Sequence, residues 1–342
     1  MKRSLPLLLA NLVLLAVFLP GRSAKAADAL LYGVIKTQLY TQAVSAVSAS
    51  PLPANGFVFD ALVIPTTNYS ITNAILGTPS SQQIPLHLVT NGTALIFQQA
   101  FSSQSAMDGT YPGPSAGTIT YGMTMYAVHD GVPNGSASYA PSFFGASYPP
   151  VPEPNNLPAA QSIDNTRDCT FTWIINGSTS ANDGVQFVIR DYSSNNVFFA
   201  SPFPFTSNAL NGLSDTVTVP YYSLPAGSNL VGDLTIVRVA GSPNTNAYPG
   251  ATGAAALAIN TSFPVATRPA AVPPVLRFTQ KHAPFQVSYT GEANRIYHLL
   301  SATNLVNPAW TNLTNFSTSS GSYTDSNSLH NSRTFYRMQV GP

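Results

Sequence analysis

The 342-residue chain holds one cysteine, Cys169, so no disulfide can form within it and its stability has to come from packing. Charge is scarce as well: Asp, Glu, Lys and Arg together make up 8% of the residues. No Lys/Arg-dense block is present, which argues against a nucleic-acid partner. Glutamate is almost missing. Glu153 lies among prolines and Glu292 in the turn Thr290-Gly291-Glu292-Ala293-Asn294, so an acid-pair glycosidase would have to be built from aspartates. The five histidines show neither His-Glu-x-x-His nor Cys/His zinc spacing, and no glycine-rich phosphate loop opens a helix. No metal or cofactor is therefore expected. Long amphipathic helices are lacking too, which speaks against α/β folds.

Hydrophobic residues are plentiful at 44%, enough to fill cores and to exclude a solvated disordered polymer. The chain opens with Lys2 and Arg3, an apolar run from Leu5 to Leu19, and Ala24-Lys25-Ala26 before Ala27. A basic start, a core short for a membrane span and an A-x-A step describe a secretory signal peptide over residues 1–26. The expected address is therefore outside the cytoplasm, secreted or at the cell surface, with no membrane span after cleavage. Cleavage removes four basic residues, leaving ten against thirteen acids and a net charge near −3.

The remainder consists of short Val/Ile/Thr/Tyr/Phe runs separated by Gly, Pro, Asn and Ser clusters, the mark of many short strands. Expected strands include Leu31 to Tyr40, Phe57 to Ile64, Ala94 to Phe101, Thr118 to Val128 and Cys169 to Ile175. Others are Val185 to Asp191, Leu234 to Val239, Arg295 to Ser301 and Thr334 to Val340. The pattern predicts an all-β protein of tandem antiparallel, Ig-like β-sandwich modules. Two proline-dense stretches read as spacers, since proline lacks the ladder N–H. They predict an N-terminal module at 28–148, a linker at 149–158, a middle sandwich at 159–266, a linker at 267–274 and a small C-terminal module at 275–342. Alternation puts Cys169, Phe171, Trp173 and Ile175 on one core face, which gives the cysteine a packing role. In the C-terminal module it buries Tyr297 and Leu299, turns His298 and Leu300 away, and leaves Trp310 to anchor a small core.

The order Tyr297, Ser301-Ala302-Thr303-Asn304-Leu305, Trp310, Asp325 and Arg333-Thr334-Phe335-Tyr336-Arg337 resembles a known terminal module. It is the β-rich module that ends large secreted proteins of planctomycete and verrucomicrobial bacteria. Through Phe171-Thr172-Trp173 and Thr216-Val217-Thr218-Val219-Pro220, the middle module resembles bacterial Ig-like segments. The resemblance implies a secreted, modular, surface-associated protein and assigns no catalytic residue.

Formal catalytic matches have plainer readings. Gly113-Pro114-Ser115-Ala116-Gly117 fits a nucleophile elbow, but a strand rather than a helix is expected after it. His129-Asp130-Gly131 reads as a polar turn, as do the oxygen-rich loops Asn182-Asp183-Gly184 and Asp325-Ser326-Asn327. The expectation is a non-enzymatic structural, adhesive or glycan-binding protein whose partner is an extracellular polysaccharide or a cell-surface protein. Exposed aromatics offer stacking surfaces for sugars, and Tyr221 and Tyr222 are the first candidates because adjacent strand residues face opposite ways. The alternatives are a polysaccharide-degrading enzyme using Asp164, Asp168, Asp183, Asp191, Asp215 or Asp233, and an outer-membrane β-barrel.

Overall fold

A computed structural model describes residues 29–43, 51–52, 54–65, 71–89, 93–113, 121–127, 135–139, 143, 145–192, 196–205, 208–244, 251–280, 282–330 and 333–341. The segment expected to be a signal peptide, Ser115 and the sequence His129-Asp130-Gly131 lie outside them. The protein is all-β, with two short α-helices among the described residues. Among the described residues no helix is long and apolar enough to cross a membrane. The chain parts into two compact units, one of residues 1–157, 171–217 and 230–265, the other of 158–170, 218–229 and 266–342.

The strands running through the first unit are β1 (Ala29–Thr41), β2 (Phe57–Pro65), β3 (Ile71–Gly77), β4 (Gln83–Pro85), β5 (His87–Leu88), β6 (Leu95–Phe101), β7 (Tyr121–Ala127) and β8 (Gly135–Tyr139). They continue with β9 (Pro152–Pro154), β10 (Cys169–Ile175), β11 (Gly184–Asp191), β12 (Val197–Ala200), β13 (Thr216–Val219), β14 (Asn229–Asn244) and β15 (Thr252–Ala266). Helix α1 (Gln104–Thr110) interrupts them and is capped by the Ser103 hydroxyl, which accepts from the Ala106 N–H. Eight strands form one sheet in the order β12-β11-β14-β15-β1-β2-β6-β5, and a second sheet runs β4-β3-β7-β8. Phe59, Ala61 and Val63 of β2 pack in one cluster with Ala74, Leu76, Met123 and Met125 of the second sheet, the sandwich construction that strand alternation predicts. Because β2 is buried along nearly its whole length, its sequence FVFDALVIP is apolar almost throughout instead of alternating.

The expected partition into N-terminal and middle modules does not match this sheet. Strands from both lie in it, joined where β1 runs beside β15 with Gly33 opposite Ala254. That pair is parallel, an exception in a sheet expected to be antiparallel throughout. The close approach requires small residues: a Cβ on Gly33 would stand 2.0 Å from the Ala254 carbonyl oxygen. The first proline-dense stretch is likewise no free spacer. Pro152 and Pro154 form edge strand β9, paired with Ile175 and Trp173 of β10, and an edge is the place in a sheet that tolerates a missing N–H. Gln42 Nε2 donates to the Pro154 carbonyl at 2.9 Å. Arg238, in a two-pronged pair with Asp183 at 2.7 and 2.9 Å, also reaches the Tyr148 carbonyl at 3.4 Å.

Polar groups are buried within this unit. Lys36 of β1 is fully buried, bonded to the Asp108 carboxylate of α1 and the Tyr111 carbonyl, with the Phe143 ring 5.5 Å from its ammonium. Burial pushes its amine below the ordinary lysine range while Asp108 pulls the other way. On the opposite face of the large sheet, Arg190 of β11 donates to Asp233 of β14 at 2.6 Å, both side chains at 1% exposure. Ser262 donates to the other Asp233 oxygen at 2.5 Å, and Asn260 to Thr235 at 2.9 Å. Asp60 of β2 accepts one bond on that face, from Gln98 at 2.8 Å. Its second oxygen has no hydrogen-bond partner among the described residues.

In the second unit, β16 (Val275–Gln280), β17 (Phe285–Thr290) and β20 (Ser320–Asp325) make one sheet. Strands β19 (Thr311–Phe316), β18 (Tyr297–Ala302) and β21 (Phe335–Val340) make another, in that order. The helix α2 (Leu157–Ala160) opens the segment that leads into this unit. Tyr289 of the first sheet lies 4.4 Å from Phe316 and 6.0 Å from Tyr297, ring centre to ring centre. Tyr297 and Leu299 are fully buried while His298 and Leu300 face away, as the alternation predicts. Arg295, itself buried, ties residues 158–170 into this unit by its ion pair with Asp164, and donates to the Pro269 carbonyl at 2.6 Å.

Candidate functional site

Tyr221 and Tyr222 lie in a turn and not on a strand. Pro220 cannot donate to a ladder, so β13 ends at Val219, and Tyr222 takes the left-handed conformation with φ 57°. The expectation of one ring on each face is therefore corrected. The two rings sit edge to face with centroids 5.6 Å apart, and both are open to solvent at 48% and 56% exposure. The turn that carries them is fixed by hydrogen bonds. The Tyr221 N–H donates to the Asp168 carboxylate at 2.9 Å, the Tyr222 N–H to the Asn165 carbonyl at 2.7 Å, and the Tyr222 hydroxyl to the Val340 carbonyl at 3.1 Å.

Val340 ends β21, the outer strand of its sheet, so the tyrosine ledge borders that sheet's solvent face. The register sets His298 opposite Gln339 and Asn315, and Leu300 opposite Arg337 and Asn312; directly opposed residues share a face. Both ring nitrogens of His298 contact oxygen: Nε2 is 3.1 Å from the Gly341 carbonyl and Nδ1 is 2.7 Å from Asn315 Oδ1. Asn312 in turn donates to the same Asn315 oxygen at 2.8 Å. Trp310 is half-buried here instead of anchoring a core, because the residue preceding β19 projects toward the solvent face. Its ring carries the exposed Arg337 guanidinium 4.3 Å from the ring centre. The surface thus combines aromatic rings with amides and an imidazole held in a fixed pattern, the chemistry that stacks on sugar rings and bonds their hydroxyls.

The aspartates weighed as catalytic acids serve other partners. Asp164 is bound to Arg295 and Thr166, Asp183 to Arg238, and Asp233 to Arg190. Hydrogen bonds from Thr166 and the Arg295 charge outweigh desolvation and hold the Asp164 carboxyl below its ordinary range. Asp168 caps the tyrosine turn, and the Asp215 carbonyl accepts the Trp173 N–H at 2.9 Å. Asp191 ends β11. Asp325 closes an Asx turn by accepting the N–H of Asn327, two residues on, at 3.0 Å, whereas Asp183 accepts the N–H of Ser180, three residues before it, also at 3.0 Å. Cys169 is half-buried on its strand with its thiol pushed up by burial, opposite to the shift that makes a thiol reactive.

Sequence patterning singled out the tyrosines but not the sheet face beside them. Polar strand residues such as Asn312, Asn315 and Gln339 look like ordinary solvating positions until pairing brings them together. No family model matches the chain, and no curated protein does. Among solved structures it is similar to the fibronectin(III)-like modules of Clostridium thermocellum CbhA. That similarity stands at 8% identity and a TM-score of 0.22, over 72% of this chain and 93% of that one.

Proposed function

We propose that the protein is exported and acts without catalysis, binding polysaccharide outside the cell through the Tyr221–Tyr222 ledge. The observation that carries this reading is the pair itself: two large rings left in solvent on a turn whose backbone is fastened by two hydrogen bonds, with the Tyr222 hydroxyl bonded in addition to the Val340 carbonyl. Holding aromatics rigid and exposed forgoes the hydrophobic stabilisation of burying them, and a stacking ligand recovers it without paying again for ordering the side chains. The signal-like start and the resemblance of the C-terminal region to terminal modules of secreted bacterial proteins support export and a surface-associated role.

The test incubates the purified protein with insoluble cellulose, xylan and the producing organism's cell envelope, and measures both retained protein and released sugar. Retention is expected, with no soluble sugar formed. Tyr221→Ala combined with Tyr222→Ala is expected to lower retention at least tenfold while leaving the fold intact, since both side chains are surface groups. Release of reducing sugar would overturn the non-enzymatic reading, and retention unchanged by the double substitution would overturn the ledge.

A further inference from the structure

The second unit carries seven basic residues against four acidic ones, although the whole chain after the signal segment is net negative. Its acids are already engaged: Asp164 and Glu292 pair with Arg295, Asp168 holds the tyrosine turn, and Asp325 accepts from Tyr336 at 2.7 Å. Among the described residues Arg337 has no carboxylate partner. It is nevertheless positioned, because its guanidinium lies over the Trp310 ring. A guanidinium stacked in this way keeps its N–H edges free and has lost much of its rotamer freedom, which prepares it for two-pronged bonding to a carboxylate.

Arg337 shares the solvent face of the β19-β18-β21 sheet with Gln339, His298, Asn312 and Asn315, and the tyrosine ledge borders that face at Val340. Stacking rings, hydroxyl-bonding amides and one preorganised unpaired cation therefore adjoin one another on a single surface. From this we infer that the polysaccharide bound here is acidic, a polymer whose uronate carboxylates dock on the Trp310–Arg337 pair while neighbouring sugar rings stack on Tyr221 and Tyr222. This rests on the glycan-binding reading above and adds the ligand's charge and a second contact site. A polymer spanning both contacts gains by effective concentration beyond either one alone.

The experiment compares retention of the protein by immobilised polygalacturonate, by a neutral glucan and by duplex DNA over a series of salt concentrations. Polygalacturonate is expected to hold the protein about tenfold more tightly than the glucan at low salt, with the advantage shrinking as salt rises. Arg337→Met removes the guanidinium that lies over Trp310 and is expected to abolish that advantage. Arg337→Lys, which keeps the charge but loses the fork, is expected to recover only part of it. Equal retention by glucan and polygalacturonate would overturn the acidic ligand while leaving the tyrosine ledge standing, and an acid preference untouched by Arg337→Met would overturn the Trp310–Arg337 pair as its docking site. Duplex DNA held as tightly as polygalacturonate would reduce the effect to general polyanion attraction and overturn it too. Retention by none of the three would remove the glycan-binding reading itself.

Discussion

Asp60→Asn is expected to flatten the pH dependence of the first unit's stability between about pH 4 and pH 7. Asp60 is wholly enclosed on the sheet face that holds Leu31, Ile35 and Leu62, and burial pushes its carboxyl from 3.8 up to about 7, against a lesser opposing pull from Gln98. The folded state therefore keeps a proton that the unfolded chain gives up near pH 4. Stability from this group is complete below that point and is lost as pH rises through about 7, a decline of at most about 4 kcal/mol. Asparagine stays neutral throughout and keeps an oxygen for the Gln98 amide, now 2.8 Å from Asp60 Oδ1. Urea unfolding in a Trp310→Phe background, followed by fluorescence of the buried Trp173 in the same unit, measures the difference. Parallel curves for the parent and Asp60→Asn from pH 4 to 8 would show that the carboxyl is not protonated in the fold.

The second large effect concerns Arg190. Arg190→Met is expected to cost about 3–5 kcal/mol, because it leaves the Asp233 carboxylate at 1% exposure with only the Ser262 hydroxyl for compensation. Adding Asp233→Leu should recover most of that loss, since removing both charges also removes the desolvation penalty that the pair carried. The double-mutant cycle, read by the same unfolding assay, checks this. A double substitution no more stable than Arg190→Met alone would mean that the pair positions strands β11 and β14 instead of mainly neutralising charge. Asp233 was one of the aspartates weighed as a catalytic acid, and its enclosed arginine partner is the reason it has no such freedom.

Much of the strand pattern was legible wherever β-branched and aromatic residues alternated or ran together. Cys169–Ile175 coincides with β10, and Phe57 to Ile64 lies within β2. The alternation that buries Tyr297 and Leu299 and turns His298 away could be read directly. Strand β15 could not. Its TGAAALAINTSFPVA is rich in alanine, a residue depleted in strands, and it forms because a central place between β14 and β1 rewards small side chains that let the backbones close up. Edge strand β9 was hidden for the opposite reason, since Pro152-Glu153-Pro154 reads as a spacer until a neighbour supplies one-sided pairing. The candidate site divides in the same way. Tyr221 and Tyr222 were visible as an unusual aromatic pair after Pro220, but their side-by-side exposure depends on a left-handed backbone, and their polar neighbours on strand register.

By itself the sequence determined the all-β class, the reliance on packing in a chain with one cysteine, and most of the residues that face inward. These follow from composition and a two-residue period, which are local properties of the chain. Only the tertiary structure decided that strands far apart in the chain share one sheet, that enclosed charges are matched across strands, and that Trp310, Arg337 and the tyrosine pair adjoin one surface. Those depend on contacts between residues distant in sequence, and no local pattern encodes which distant strand will pair with which.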